Sequence, residues 1–272
     1  MKMSWAKMPN RWAMAGGLRE FKHRDARNMV SALHTNTSIA ALKTYLAICT
    51  RTDFRSGLAK TTYEELGVLL GHSRLVIARS LRILLANGLI RSDSAKARDG
   101  SQLYVCRWLE DEGYAKIPKS WLYRVRGKEG DAPAVSKKHL FKLRAFKLNS
   151  LLSLMALKIY ILLLALRNKD RRTEGDLTGR DGLTIVSYDR IMDLTGVPRS
   201  AISPAITLLL EMNLVSFRSG SFTVSDDQDF DRTNRYLIKG LGLRWAPLTE
   251  PQSNNQLPVG TVGPVSTVSF SG

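Results

Sequence analysis

Cysteine is nearly absent, with two residues, Cys49 and Cys106, in a chain of 272. They lie far apart and outside any CxxC or Cys/His spacing, which argues against a disulfide framework or a zinc module and predicts reduced core thiols. Histidine is almost as scarce: His23, His34, His72 and His139 have no acid or cysteine at a ligand or catalytic spacing, and neither a Walker A nor a GxGxxG run occurs. Asp226-Asp227 stands in a loop with no partner constellation. The expectation is a protein that is not an enzyme and takes no metal and no cofactor. Long apolar runs are missing too. The greasiest, LLSLMALKIYILLLAL (151–166), is interrupted by Lys158 and stops short of the roughly 18 residues that a membrane span needs, so it is predicted as a buried helix. The N-terminal MKMSWAKMPNRWAMAGG is basic but holds no continuous apolar region before a cleavage site, so a cytoplasmic protein with no membrane partner is expected.

Acidic residues are the other shortage. Forty-one Lys and Arg face twenty-four Asp and Glu, a net charge of +17 and a pI near 10.1. Such an excess is the electrostatic footprint of a nucleic-acid or membrane-surface binder, and the missing span weakens the second reading.

What is present is a repeat. Shifted by 125 residues, TTYEELGVLLGHSRLVIARSLRILLANGLIRS (61–92) lies without a gap on VSYDRIMDLTGVPRSAISPAITLLLEMNLVSF (186–217). Tyr63 meets Tyr188, Gly71 meets Gly196, Arg74 meets Arg199 and Ile77 meets Ile202. Upstream, AALKTYLAI (40–48) matches MALKIYILL (155–163) at a shift of 115; downstream, LYVCRW (103–108) is set on RYLIKG (235–240) at a shift of 132, which pairs Cys106 with Ile238. The copies differ in length where loops are expected and agree where elements are expected.

Within the first copy, Ile39, Leu42, Tyr45, Leu46 and Cys49 recur at spacings of three and four, which predicts a helix over 38–51. Thr61 or Thr62, followed by Glu64 and Glu65, caps a short helix that ends at Gly71, and Ser73 caps another that stops at Asn87-Gly88. Leu89-Ile90 opens an extended segment, SDSAKARDGSQ supplies a polar loop, and LYVCRW returns as a strand. The order is helix, helix, short turn, helix, hairpin. With Tyr63-Glu64-Glu65-Leu66, Gly71-His72-Ser73-Arg74, Leu81, Leu84 and Asn87-Gly88-Leu89-Ile90 in these places, the chain resembles the winged helix-turn-helix DNA-binding superfamily, over two blocks at roughly 35–108 and 150–240. The resemblance implies a mainly α fold with small β-hairpin wings, arranged as tandem winged-helix domains. It also implies that the third helix of a copy enters the major groove while the wing touches phosphate. Those roles fall on Ser73, Arg74, Ala78, Arg79 and Arg82, and on Lys96 and Arg98 in the wing.

At roughly 100° per residue, Arg74, Leu75, Ala78, Arg79 and Arg82 fall within an arc of about 140°, opposite Ile77, Ser80, Leu81 and Leu84. No acid occurs from Ser73 to Gly88, whereas an ordinary solvated face mixes both signs. The second copy departs from this pattern. Arg199 remains, but Pro204 replaces Arg79, Thr207 replaces Arg82, and the wing SDDQDFD (225–231) is acidic. Ser200 caps this helix if Pro204 fits its first turn; otherwise Ser203 caps a helix that starts later. Arg199, Ser200 and Ser203 are its candidate contacts.

The remaining segments read as a basic arm over 1–34, a linker over 109–149 and a disordered tail over 245–272, flanking domains at 35–108 and 150–244. The arm carries Lys2, Lys7, Arg11, Arg19, Lys22, Arg24 and Arg27. Residues 115–148 hold ten Lys or Arg against two acids, interleaved with Trp121, Tyr123, Phe141 and Phe146. Lys137, Lys138, Lys142 and Arg144 are candidate phosphate contacts, set against the plainer reading that the aromatics dock on the core. The functional expectation is a sequence-specific binder of double-stranded DNA, nucleoid-associated when bound, acting as a transcription regulator of a phage, plasmid or other mobile element. The alternative is a plasmid or phage replication initiator on origin repeats, and a protein-interaction scaffold ranks third; homo-oligomerisation is left open.

Overall fold

The structure is a computed structural model, and it describes residues 5–92, 101–109, 113–123, 139–167, 183–218 and 234–241. Lys96, Arg98, Lys137, Lys138, the acidic segment 225–231 and the tail lie outside these residues. In chain order the elements are β1 (Ala6–Pro9), α1 (Arg11–Met14), a 3-10 turn (Gly17–Glu20), α2 (Ala32–Arg51), β2 (Leu58–Thr61), α3 (Tyr63–Leu70), α4 (Arg74–Ala86), β3 (Ile90–Ser92) and β4 (Ser101–Val105). They continue with β5 (Tyr114–Ile117), α5 (Lys119–Leu122), α6 (Phe141–Arg144), α7 (Leu151–Leu166), β6 (Leu183–Val186), α8 (Tyr188–Thr195), α9 (Arg199–Glu211), β7 (Val215–Arg218) and β8 (Asn234–Ile238). Helices and small antiparallel sheets are mixed, and two units, α2 to β4 and α7 to β8, repeat one order of elements.

The helix starts are written locally. Thr62 accepts the Glu65 N–H while the Glu65 carboxylate accepts the Thr62 N–H, a reciprocal cap for α3. Ser31, Ser73, Ser150 and Ser187 cap α2, α4, α7 and α8 through their hydroxyl oxygens. Gly71 and Gly196 end α3 and α8 at φ 69° and 68°, in the left-handed region where a side chain is strained. The first helix of the unit is longer than its periodicity indicated, because Ser31 rather than a residue near 37 caps it.

Each unit also has a strand that the sequence reading lacked. β2 pairs with β4, giving the sheet order β2-β4-β3, and β6 pairs with β8 in the order β6-β8-β7. Ile90 faces Val105 while Val215 faces Ile238, and Leu58 faces Tyr104 while Leu183 faces Leu237. Val105 is therefore the counterpart of Ile238, and Cys106 that of Lys239, whose N–H groups donate to Leu89 O and Leu214 O in turn. The returning strands correspond one residue away from the alignment made on sequence. Arg107 and Gly240, at φ 58° and 87°, then share the same left-handed turn. Cys49 is buried and Cys106 half-buried, and neither is joined in a disulfide.

The segments expected as arm and linker belong to the repeat as well. Lys7, Pro9 and Trp12 recur as Lys116, Pro118 and Trp121, and Leu18, Arg19, Phe21 and Lys22 recur as Leu143, Arg144, Phe146 and Lys147. β1 and β5 pair antiparallel with Lys7 opposite Lys116, so equivalent residues face each other across a local pseudo-twofold axis. Trp121, Tyr123 and Phe146 pack against the core rather than standing free, Phe146 being 1% exposed, while Phe141 is half-buried with its ring edge-on to His139. The two arms exchange partners across the axis. Arg19 Nη1 donates to Asp193 O in the second unit, and the N–H of Leu140 donates to Leu69 O in the first. α2 and α7 cross between the units and share one core, in which Tyr45 and Tyr160 are almost wholly buried. No helix among the described residues is long and apolar enough to cross a membrane.

Candidate nucleic-acid interface

α4 buries Ile77, Ser80, Leu81 and Leu84 against α2 and α3, which leaves Arg74, Leu75, Arg79 and Arg82 on the outside with Ala78 half-buried at the rim. Arg79 and Arg82 have no hydrogen bond or ion pair among the described residues. Arg74 has none either and lies over the Tyr63 ring at 5.9 Å. Leu75 is 59% exposed among these cations, although a leucine gains by burial. Ser73 caps the helix, its Oγ accepting the Val76 N–H at 3.5 Å, and no acid lies in the first turn. The helix N-terminus, with its free N–H groups, therefore adds positive potential to the same face.

A further cation arrives from the second arm. The Arg144 guanidinium covers the α3–α4 turn so closely that a Cβ on Gly71 would stand 2.6 Å from its Nε. Behind it, Lys43 is 1% exposed and donates to Phe146 O at 3.1 Å. Burial first, and the Arg144 charge second, push the Lys43 ammonium down to about 8. His72, in the same turn, is pushed down to about 4, chiefly by burial and then by Lys43, so its imidazole is neutral at physiological pH.

The equivalent face of the second unit is built differently. Arg199 is exposed, over the Tyr188 ring at 5.9 Å, but its Nη1 is paired with Asp189 Oδ1 at 2.7 Å. Neither serine caps α9: Pro198 occupies the N-cap, and the helix runs from Arg199 through Pro204 without starting later. Proline at the N-cap closes the preceding extended segment, and Pro204 sits in the second turn, where its missing N–H leaves the Ser200 carbonyl without its helical donor. Ser200 and Ser203 are exposed on the outer face, and Thr207 Oγ1 donates back to Ser203 O at 3.1 Å. The Arg19 side chain lies 3.6 Å from where a Gly196 Cβ would be, the counterpart of Arg144 at Gly71. Lys158, the counterpart of Lys43, is likewise buried and pushed down to about 8, and donates to Thr195 O at 3.1 Å.

The structure thus brings Ser73, Arg74, Ala78, Arg79 and Arg82 to one face of α4, and sets Arg144 over the turn that leads into it. It turns Lys142 inward, where its ammonium donates to Met212 O at 2.7 Å and sits 5.7 Å from the Trp121 ring. A lysine at a helix C-terminus has a ready acceptor in the last carbonyls, so Lys142 is a docking residue rather than a phosphate contact. The sequence marks Arg19 only as part of the basic arm and Arg144 only as a candidate phosphate contact, and it does not show that the two pack on equivalent turns. The signal was there in the matching LRxFK of residues 18–22 and 143–147. Among the described residues no cluster of three His, Cys, Asp or Glu side chains is placed to hold a metal ion. No family model, curated protein or solved structure matches the chain.

Proposed function

We propose that the protein is a sequence-specific binder of double-stranded DNA, built as two winged-helix units on a pseudo-twofold, with α4 as the helix that enters the major groove. The observation that carries this reading is the outer face of α4, where three exposed arginines stand with no acid among them and no ion pair among the described residues. Arginine suits the task, because its planar fork grips guanine O6 and N7 or a phosphate in a bidentate manner. Leu75, exposed between them, suits a thymine methyl. Arg144 at the α3–α4 turn, Lys96 and Arg98 are phosphate positions that fix the register.

In this reading the protein is a transcription regulator of a mobile element. The second reading, a replication initiator on origin repeats, is favoured by one observation: the pseudo-dimer is complete within one chain, so single copies can fill successive direct repeats without a partner subunit. Duplex binding should be in the nanomolar to micromolar range and fall steeply with salt. Arg74→Ala should cost specificity at one base pair as well as affinity, while Lys96→Ala should weaken all sequences alike. Salt-independent or undetectable duplex binding would leave the scaffold reading in place. Genome-wide footprinting then separates the two roles, since promoters mark a regulator and repeats beside an AT-rich tract mark an initiator.

A further inference from the structure

The two halves differ by one insertion that the structure describes in full. Phe21 and Ala40 lie 19 residues apart, but their counterparts Phe146 and Met155 lie nine apart. The extra length is spent between Lys22 and Asn36, as a loop followed by an added first turn of α2, and the loop leaves the fold beside the second unit. Arg19, just upstream, donates to Asp193 O and lies against Gly196 in the α8–α9 turn. His23 follows, close enough to Lys158 that this ammonium helps to hold its imidazole below the ordinary value, after burial itself. Lys158 in turn donates to Thr195 O, one residue before Gly196. The segment therefore emerges next to the turn that leads into α9.

Its shape is set by its own bonds. Asp25 Oδ1 accepts the N–H of Arg27 at 2.9 Å and of Met29 at 3.0 Å, and Asn28 takes the left-handed region at φ 62°. Arg24 bridges to Val30 across the loop, and its Nη1 donates to Asn28 O at 2.6 Å. The Ser31 N–H closes the base on His23 O at 2.9 Å, and Ser38 Oγ donates to Lys22 O at 2.7 Å. On the outside of this frame, Lys22 and Arg27 are exposed and have no side-chain partner among the described residues. Beside them Met29, Val30 and Leu33 are 66%, 59% and 60% exposed. Apolar side chains held outward together on a preformed loop mark a contact surface.

Charge selects the occupant. The loop carries Lys22, Arg24 and Arg27 against Asp25 alone, and a second copy of the chain would approach with its own +17. α9, unlike α4, has no free cation of its own among the described residues, since Arg199 is paired with Asp189. We propose that the loop from Lys22 to Leu33 is a duplex DNA contact that the first half supplies to the second unit. Lys22 and Arg27 lie on phosphates beside the N-terminal end of α9, and Met29 and Val30 lie against the apolar sugar edge of the adjoining minor groove, as in proteins that place apolar side chains there. The inference rests on the DNA-binding reading of the preceding subsection.

The test uses the full chain on a duplex carrying its selected site, with affinity measured over a salt series and hydroxyl-radical protection of each strand. Lys22→Ala with Arg27→Ala should weaken binding about tenfold, lower the salt slope by nearly two and remove protection on one flank, because each phosphate contact contributes about 0.9 to the slope. Met29→Ser with Val30→Ser should weaken binding about threefold at an unchanged slope, since apolar contacts release no counterions. Arg79→Ala with Arg82→Ala is the reference and should remove protection on the other flank. If the reference pair loses binding while both loop pairs bind and protect as the wild type does, the loop inference is overturned and the DNA reading stands. If the wild type shows no salt-dependent duplex binding, both fall. If Met29→Ser with Val30→Ser dissolves a dimer seen by light scattering and leaves DNA affinity untouched, the surface belongs to a second copy and the inference is again overturned.

Discussion

α4 and α9 occupy the same place in the two halves, start one residue after equivalent positions and bury equivalent positions inward, yet their outer faces have little in common. α4 carries Arg74, Arg79 and Arg82, and α9 carries Arg199 paired to an aspartate, with Pro204 and Thr207 where the other two arginines stand. Buried positions are constrained by the density of the core, so a duplicated framework keeps them. Exposed positions are constrained only by what touches them. The divergence of the two outer faces therefore separates residues kept for packing from residues free to take on different work. The same comparison explains the shared LRxFK segments. Arg19 and Arg144 lie against Gly196 and Gly71 in equivalent turns, and each arm braces the opposite unit, so packing on those turns is enough to keep the shared arginine whatever else it touches.

The comparison is most sharply tested by paired substitutions. Arg79→Ala and Arg82→Ala should each cost about 1 to 3 kcal/mol of binding to a selected duplex if they reach base edges, whereas Ser203→Ala with Thr207→Ala should change affinity less than about threefold. Equal losses in the two helices, measured by fluorescence anisotropy, would erase the distinction drawn between them. In stability the order reverses. Pro204→Ala restores a helical N–H and removes the ring from the second turn of α9, and should raise unfolding stability by about 1 to 3 kcal/mol, while Arg79→Ala at the equivalent site should stay within about 0.5 kcal/mol. Urea denaturation of the two variants decides it; a destabilised Pro204→Ala would mean that the helix is held in a shape alanine does not prefer.

Lys43 and Lys158 are a feature that both halves share. Each has its folded value lowered to about 8 against an ordinary 10.5. Between these values the unfolded chain holds more protons than the folded one, so their contribution to stability rises with pH from about 8 upward and is lost as pH falls through 8. Cys49 works in the opposite sense, because burial keeps its thiol protonated after the unfolded thiol has ionised near 9. Comparing the wild type with Lys43→Met plus Lys158→Met removes that contribution. Over pH 8 to 9.5 the wild type should gain about 2 kcal/mol per pH unit relative to the variant, because each of the two lysines differs by most of a proton between the folded and unfolded chains. Parallel pH profiles of the two proteins would show that the ammonium groups are solvated after all.

The smallest effect lies at the two turns. Gly71→Ala and Gly196→Ala both force a side chain into the left-handed region, at about 1 kcal/mol or more each. Gly71→Ala must also displace the Arg144 guanidinium, so it should be the worse of the two by a few tenths of a kcal/mol, and adding Arg144→Ala should remove the difference. A double-mutant cycle by thermal melting reads that coupling.

Much of one unit was legible in the sequence because its signals are local. Thr62 and Glu65 cap α3 by direct contact, Gly71 ends it for want of a Cβ, and Ser73 starts α4. The apolar spacing that separates Ile77, Leu81 and Leu84 from the three arginines is the spacing of a helix, and it is enough to set the three arginines on one face. The strand β2 escaped because four residues carry too little periodicity to stand out until β4 lies beside them. The register of β8 slipped by one because a short alternating strand matches almost as well after a shift, and only the pairing with β6 and β7 pins it. Pro198 as the cap of α9 was invisible for another reason: its side chain makes no capping bond, and the competing serines looked better placed for one.

Taken alone, the amino-acid sequence determined the repeat of the two units, the bounds of α3 and α4, the excess of positive charge and the arginine face of α4, all of which depend on near neighbours and on the 3.6-residue period. Tertiary structure decided what the cations between and before the units do. Lys142 ends on a carbonyl, Lys7 opposite its own counterpart, Arg144 over the turn of the other unit, and Arg27 in the open. A lysine or arginine reads the same in every one of these places, because its long side chain takes its role from whatever the fold brings within reach.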